Sequence, residues 1–360
     1  MLKINHTICP SCSVGCGINI VSQRNNVVGT FPYKRHPINE GKNCVNGRNS
    51  IDALKNRIEF PLILKGNEQV ESEFDTIFDL ISDELKSKSP EEVGVVCSGR
   101  NTNEELKAIK DFADNFGFKT GFYSNNFPNF DGEVATYDDV SNASSLFIIG
   151  DILLENPLVG RRIVKAMKNG AKIFTVDKRD KTVTSLNSSQ YFQVDSISEF
   201  LNNIDSGIEL TDSSVILFNK LESIEDFEKI IDISKKFNSK ILPVFDECNT
   251  KGALKIFEPL SKEEFDAFID GVKTILVFNT DLLEYSDDIK KTDIISFSPY
   301  INDTTKASKY VMPIKTWCEK EGSFTNAMDE VQSFSPAIES PDNIFSEIEL
   351  INKLTEKLGS

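Results

Sequence analysis

ICPSCSVGCGINIVSQRNNVVGTFPYKRHPINEGKNCVNGR, residues 8–48, decides how this chain is read. Cys9, Cys12 and Cys16 stand in one short loop and Cys44 follows, giving C-x2-C-x3-C-x27-C. Seven cysteines spread over 360 residues would average one in about 50 positions, yet four crowd into the first 44. Thiolates two and three residues apart converge on one centre only where the backbone turns tightly, and Pro10, Gly15 and Gly17 permit such turns. Zinc and a four-iron cluster both accept four cysteines. Structural zinc usually arrives on two C-x2-C knuckles that each present a pair, whereas here three thiols share a loop and the fourth is distant. That arrangement suits the corners of a cubane, and a small, glycine-rich loop lets backbone N–H groups approach the cluster sulfurs. The expectation is one 4Fe-4S cluster on Cys9, Cys12, Cys16 and Cys44, with a zinc-stabilised scaffold as the alternative.

Composition narrows the classes outside this loop. Fifty-six Asp and Glu against 40 Lys and Arg leave −16, a field that repels phosphate backbones and disfavours nucleic-acid partners. No stretch approaches the roughly 18 uninterrupted apolar residues of a membrane span. The start, MLKINHTICPSC, has no apolar signal-peptide region, so the expected location is cytoplasmic. An odd cysteine count in such a chain argues against a disulfide framework.

Beyond residue 60 short apolar runs alternate with amphipathic segments, which predicts parallel sheets covered on both faces. EEVGVVC at 91–97 and SSLFIIGD at 144–151 read as strands, as do AKIFTVDKR, SSVILF near 213, SKILPVF near 239 and VKTILVF near 272. Thr102 with Glu105 reads as a capping box opening a helix through Leu106, Ile109, Phe112 and Phe116. A second helix runs through Val159, Ile163 and Met167 to the stop signal Asn169-Gly170. A third carries Phe227, Ile230 and Ile231, and a C-terminal helix places Ile344, Ile348, Ile351 and Leu358 on one stripe. Glu222, Glu225 and Asp226 read as a solvated helix face.

The cysteine segment, with its RHPINEGK approach to Cys44 and the GR turn after it, resembles the N-terminal cluster domain of the molybdenum and tungsten bis-pterin oxidoreductases, the catalytic subunits of archaeal formate dehydrogenases in particular. The resemblance continues through SGRNTNEELKAIKDFADNFG, residues 98–117, and through 140–194. There GDILLENPLVGRRI and TVDKRDKTVTSL fall where the family holds a guanine-dinucleotide tail of the pterin. ASKYVMPIKTWCEKEGSFTNAMDEV, residues 307–331, resembles the segment that returns to the cluster domain. The implied fold is α/β: a small iron–sulfur domain at 1–60 with 300–360 packing back onto it, then two doubly wound α/β domains, one of 61–121 plus 209–299 and one, nucleotide-binding-like, of 122–208. The capping barrel of full formate dehydrogenase subunits is not expected.

Departures from the family bear on function. Its active members carry a cysteine or selenocysteine, then a histidine, in the loop where this chain has FYSNNFPNF, residues 122–130; only Ser124 could substitute as metal ligand. The lysine expected two residues after the fourth cysteine is Asn46, and Phe278 opens FNTD where a glycine-rich turn is expected. These departures argue against a catalytic residue set and against a bound molybdopterin guanine dinucleotide. They favour a subunit that relays single electrons through one 4Fe-4S cluster to flavin- or iron–sulfur-containing partners in a hetero-oligomeric complex, as the pterin-less large iron–sulfur subunit of complex I does. The alternative is an active molybdenum or tungsten enzyme of the formate or formylmethanofuran dehydrogenase type, with a non-cysteine metal ligand and a separate cap subunit. Cys97, Cys248 and Cys318 read as packing or plain loop residues. His36 reads as a contact to a cluster sulfur, to a docked partner or to solvent, and Asp177 with Arg179 as strand-end residues that could meet a nucleotide.

Overall fold

The computed structural model describes residues 1–130, 132–204, 208–286, 289 and 292–359. Leu2–Ile8, Gly17–Gln23 and Asn26–Pro32 form an antiparallel three-stranded sheet. Its second hairpin turns on Arg24 and Asn25, both in the left-handed region at φ +50° and +67°, the conformation a two-residue hairpin loop requires. Ile18 and Ile20, fully buried, point to the interior, and the cysteine loop hangs from the other end of the same hairpin.

Two larger sheets follow. Gln190–Gln193, Lys172–Asp177, Ser145–Ile149, Val215–Phe218 and Lys240–Pro243, in that spatial order, make a five-stranded parallel sheet. Glu68–Glu71, Leu62–Lys65, Tyr310–Pro313, Asp293–Ser298, Thr274–Phe278, Val93–Val96 and Lys119–Gly121 make a seven-stranded one, parallel except for Glu68–Glu71 and Leu62–Lys65. Strands buried on both faces are continuous apolar runs: every residue of Val93–Val96, Ser145–Ile149, Val215–Phe218 and Thr274–Phe278 is buried. Short Gly322–Thr325 and Val331–Phe334 form a separate hairpin.

The expected division at residue 209 is not where the sheets divide. Val215 pairs with Leu146 and with Lys240, so 215–243 completes the sheet begun at 145. Residues 300–360 also split. Tyr310–Pro313 is a strand of the seven-stranded sheet, and the helix Glu347–Gly359 packs on the helices Phe74–Lys86 and Asn103–Phe116. The stretch near 326–339 does reach the cluster unit, where Ala327 N–H donates to the Ser13 carbonyl and Asn5 to that of Ala337. The last helix buries Glu347, Leu350, Ile351 and Leu354, while Ile344 precedes it.

The expected capping box is present: Thr102 Oγ1 accepts from Glu105 N and the Glu105 carboxylate from Thr102 N, at 3.2 and 2.8 Å. The helix Pro157–Lys168 stops at Asn169, with Gly170 at φ +93°. Of the acidic run, only Glu225 is exposed. Asp226 is fully buried and accepts from the backbone of Glu222 and Ser223, and Glu222 accepts from Ser196 and Ser198.

In each large sheet the strand order reverses once. In the five-stranded sheet the reversal lies between Ser145–Ile149 and Val215–Phe218; in the seven-stranded sheet it lies between Val93–Val96 and Thr274–Phe278. The loops leaving these strands diverge and leave a crevice at the carboxyl ends, where open α/β sheets bind ligands.

Candidate metal centre and adjoining crevices

Cys9 N–H donates to the Cys16 carbonyl at 2.8 Å, closing the loop that presents Cys12 at its far side. Gly15, at φ +76°, is required twice over: the backbone is left-handed, and an added Cβ would lie 2.1 Å from Gln332 Oε1. The loop is pinned from outside through Ser13, whose N–H donates to the Phe245 carbonyl while its Oγ accepts from Phe245 N. Asn39 braces the approach to the fourth cysteine: its side chain bonds both Gly17 N and Gly17 O and also the Lys42 carbonyl. Cys44 then caps the short helix Val45–Asn49, its sulfur accepting from Gly47 N at 3.3 Å. A Cβ on Gly47 would sit 3.4 Å from Cys9 Sγ, in ordinary contact, and would make Asn43 Oδ1, 2.2 Å away, swing aside.

The result is a single small void lined by Cys9, Cys12, Cys16 and Cys44, walled by Val14, Pro157 and Leu158. Burial pushes the Cys12 thiol up to about 12, reinforced by its neighbour Cys9, and also raises Cys9 and Cys16. Unloaded, these thiols are neutral, and loading a metal centre releases their protons. Among the described residues no three His, Cys, Asp or Glu side chains are grouped so as to hold one metal ion. Four thiols around one void, with an apolar wall and a glycine amide on a sulfur, suit an iron–sulfur centre.

A cavity of about 510 Å3 lies at the crevice of the seven-stranded sheet and shares a wall with the cysteine loop. Pro10, Ser11 and Asn46 line it from the cluster side, Arg100, Asn279 and Asp281 from the sheet side. Its volume is that of an ordinary ligand pocket. Phe278 does not obstruct it. The ring is fully buried and stacks on Phe297 at 4.5 Å, and the crevice is faced by Asn279, at φ +52°, and its successors.

The crevice of the five-stranded sheet is filled by its own side chains. Glu155 there accepts from Asn219 Nδ2 at 2.7 Å and pairs with Lys220 and Arg179 at 2.9 and 3.2 Å. Arg179 is further held on Asp177 through its backbone N–H and Nε, each at 2.9 Å. Asp151 accepts from Val183 N, Thr184 N and Thr184 Oγ1. Asp177 and Arg179 thus sit at the strand end as expected but bond one another.

Ser124 is buried and donates to the Phe127 carbonyl, in a closed pocket with Asp246, Glu247 and Tyr285. His36 is half-buried over Gly17, with Nε2 3.4 Å from Gln332 Nε2, and burial lowers its pKa. Cys97, Cys248 and Cys318 are all buried free thiols. Asn39, Ser13 and Gly47, which position the thiols, carried no signal beyond their ordinary turn chemistry.

The sequence model of the molybdopterin oxidoreductase Fe4S4 domain matches residues 2–56, and that of the molybdopterin oxidoreductase domain matches 57–198 and 258–357. The F420-dependent formate dehydrogenase 1 subunit alpha of Methanococcus maripaludis is 26% identical over 99% of this chain and 71% of its own length. The F420-dependent formate dehydrogenase subunit alpha of Methanocaldococcus jannaschii is 25% identical over 99% of this chain and 70% of its own. The first alignment runs over 485 positions against a chain of 360, so at least 125 of the aligned positions fall opposite gaps in this chain. Among solved structures, acetylene hydratase from Pelobacter acetylenicus superposes with a TM-score of 0.67 at 13% identity, over 99% of this chain and 69% of that one, a likeness of fold. No helix among the described residues is long and apolar enough to cross a membrane. With both domain models covering the chain from one end to the other, interrupted only at 199–257, it belongs to the molybdopterin oxidoreductase family and carries that family's Fe4S4 domain.

Proposed function

We propose that this chain is an iron–sulfur electron-transfer subunit of a cytoplasmic, hetero-oligomeric, formate-dehydrogenase-like complex, with Cys9, Cys12, Cys16 and Cys44 ligating one 4Fe-4S cluster. The observation that carries the reading is the pairing of a well-braced four-thiol void with a closed Ser124 pocket. A bound four-iron cluster supplies a one-electron relay. The chain's residues do the rest: Asn39 and Ser13 fix the loop, the Gly47 amide donates to a ligand sulfur, and Val14, Pro157 and Leu158 exclude water. Partners with flavin or further clusters would complete the wire.

The open crevice favours a second reading, in which a pterin nucleotide is kept and the chain is an active molybdenum or tungsten enzyme with a separate cap subunit. Elemental and pterin analysis after anaerobic purification from the native host separates the two. The first reading expects four iron and four acid-labile sulfide per chain without stoichiometric molybdenum or tungsten. Zinc without iron would overturn electron transfer; one molybdenum or tungsten with pterin would establish the second reading.

A further inference from the structure

The charge of this acidic chain is unevenly placed. Residues 1–60 hold eight Lys and Arg against three Asp and Glu, while residues 61–360 hold 32 against 53. The cluster unit is therefore cationic, about +5, within a chain of −16. The helix Pro157–Lys168, whose first turn walls the thiol void, adds Arg161, Arg162, Lys165 and Lys168 and contains no carboxylate.

Loop and helix form one face. Arg161 and Arg162 donate to the carbonyls of Asn39 and Ile38, at 3.4 and 3.2 Å, and both pair with Glu40. Lys34 lies against Gly41, with its Cα 3.2 Å from the place a Cβ there would take. Around this junction Lys34, Arg35, Lys42, Arg48, Lys165 and Lys168 are exposed, and among the described residues none of them has a carboxylate within ion-pair distance. Most other cations of the chain are paired; Lys55, Lys110, Lys172, Lys255 and Lys273, for example, each hold a carboxylate. The thiols nearest solvent, Cys12 and Cys44, are the two ligands that are only partly buried.

From this distribution we infer that the face built by residues 34–48 and the helix Pro157–Lys168 docks an acidic one-electron carrier protein. The inference rests on the electron-transfer reading and names the chemistry of its partner. Uncompensated cations beside a redox centre steer an anionic partner to that spot, while the strongly acidic remainder repels it from every other face. A nucleic acid would meet the same −21 remainder along its length, which a compact carrier does not. The step itself is a single electron passing from the carrier's reduced group to the oxidised cluster. One centre loses the electron and the other gains it, with no bond made or broken.

The test uses the full chain with its cluster loaded and an acidic plant-type ferredoxin as the probe. Reduction of the cluster is followed by stopped-flow at rising salt in the wild type, in K34E/R35E and in K165E/K168E, with K107E as a distant control. The expected result is a rate that falls steeply with salt, drops about tenfold in each double variant and is unchanged in K107E. Salt-independent reduction overturns the inference, and so do double variants that match K107E. So does a face that holds a DNA duplex while the reversals leave ferredoxin kinetics untouched. The helix pair lies outside the cysteine segment, so the test stands even where K34E/R35E loads poorly. Failure of the underlying reading shows separately, as a chain without iron or one whose cluster chemical reductants cannot reduce.

Discussion

The two crevices of this chain arise from the same topology and end in opposite states. Each lies where strand order reverses, and each is bordered by two loops at the carboxyl ends of buried parallel strands. In the five-stranded sheet the loops have turned their polar groups on each other, with Glu155 binding Asn219, Lys220 and Arg179 at once. In the seven-stranded sheet the equivalent space stays open at about 510 Å3, and its loops are braced from below and behind. Asn101 there bonds Glu347, which shares Lys320 with Glu105, and all three ionisable side chains are buried. Doubly wound topology creates a site, but what the side chains do with their hydrogen-bonding capacity decides whether it remains one. The chain keeps the crevice of the seven-stranded sheet open and bridges that of the five-stranded sheet with its own side chains.

Five outcomes would break or sharpen this contrast. The largest is expected for Cys44→Ala. Cluster iron should fall to background, and hydrogen exchange should rise in residues 1–60 and in the crevice wall at 46–50, while the five-stranded sheet keeps its protection, because metal binding is coupled to local folding. Equal loosening of both sheets would show that the crevices are not independent.

Next comes Lys320→Met, which strands Glu105 and Glu347 without their cation and should cost about 3–5 kcal/mol in denaturant unfolding. The same triad gives a pH signature. Burial, with Glu105 beside it, pushes the Glu347 carboxyl up to about 8 from an ordinary 4.5. Between those values the folded chain binds more protons than the unfolded one, so this group's contribution to stability is fullest below 4.5 and declines as pH rises through about 8. Glu347→Gln should flatten that decline, and an unchanged slope would place the titration elsewhere.

Glu155→Gln loosens the plug of the closed crevice, leaving Lys220 and Arg179 with weaker partners, and should cost about 1–3 kcal/mol. If the contrast holds, this variant gains exchange at 150–156 and 177–184 and nothing near Asp281. The smallest effect is expected for Asp281→Ala at the open crevice. Asp281 accepts from Asp303 N, Thr304 N and Thr304 Oγ1, and losing this cap should cost about 1 kcal/mol.

What was legible in the sequence was local. Cys9 to Cys44 declare themselves by spacing, the Thr102–Glu105 box by a three-residue pattern, and VGVV, LFII and TILVF by being apolar on both faces. Assignment of strands to sheets was not legible, because VILF at 215–218 states that it is buried and not that it pairs with Leu146. The stripe of the last helix was read only in part: Ile351 is buried and Leu358 packs on the core, but Ile344 precedes the helix, and the chain also buries Leu350, Leu354 and the carboxyl of Glu347. A buried carboxylate reads as surface until its cation, 27 residues away at Lys320, is placed. The Phe278 departure misled because one residue's direction at a strand end, inward onto Phe297, cannot be read from its size. Ser124 stood out only as a departure from the family pattern, and its closure onto Phe127 depends on how a whole loop packs.

Ser13 has a further consequence, in the order of events during synthesis. The cysteine loop emerges from the ribosome within the first 16 residues, yet the groups that set it arrive far later: Phe245, 232 positions on, and Ala327, well beyond that. Domains tend to fold as they emerge, but this loop takes these anchors from far down the chain. On the electron-transfer reading, loading of the cluster is therefore expected late, after both sheets stand.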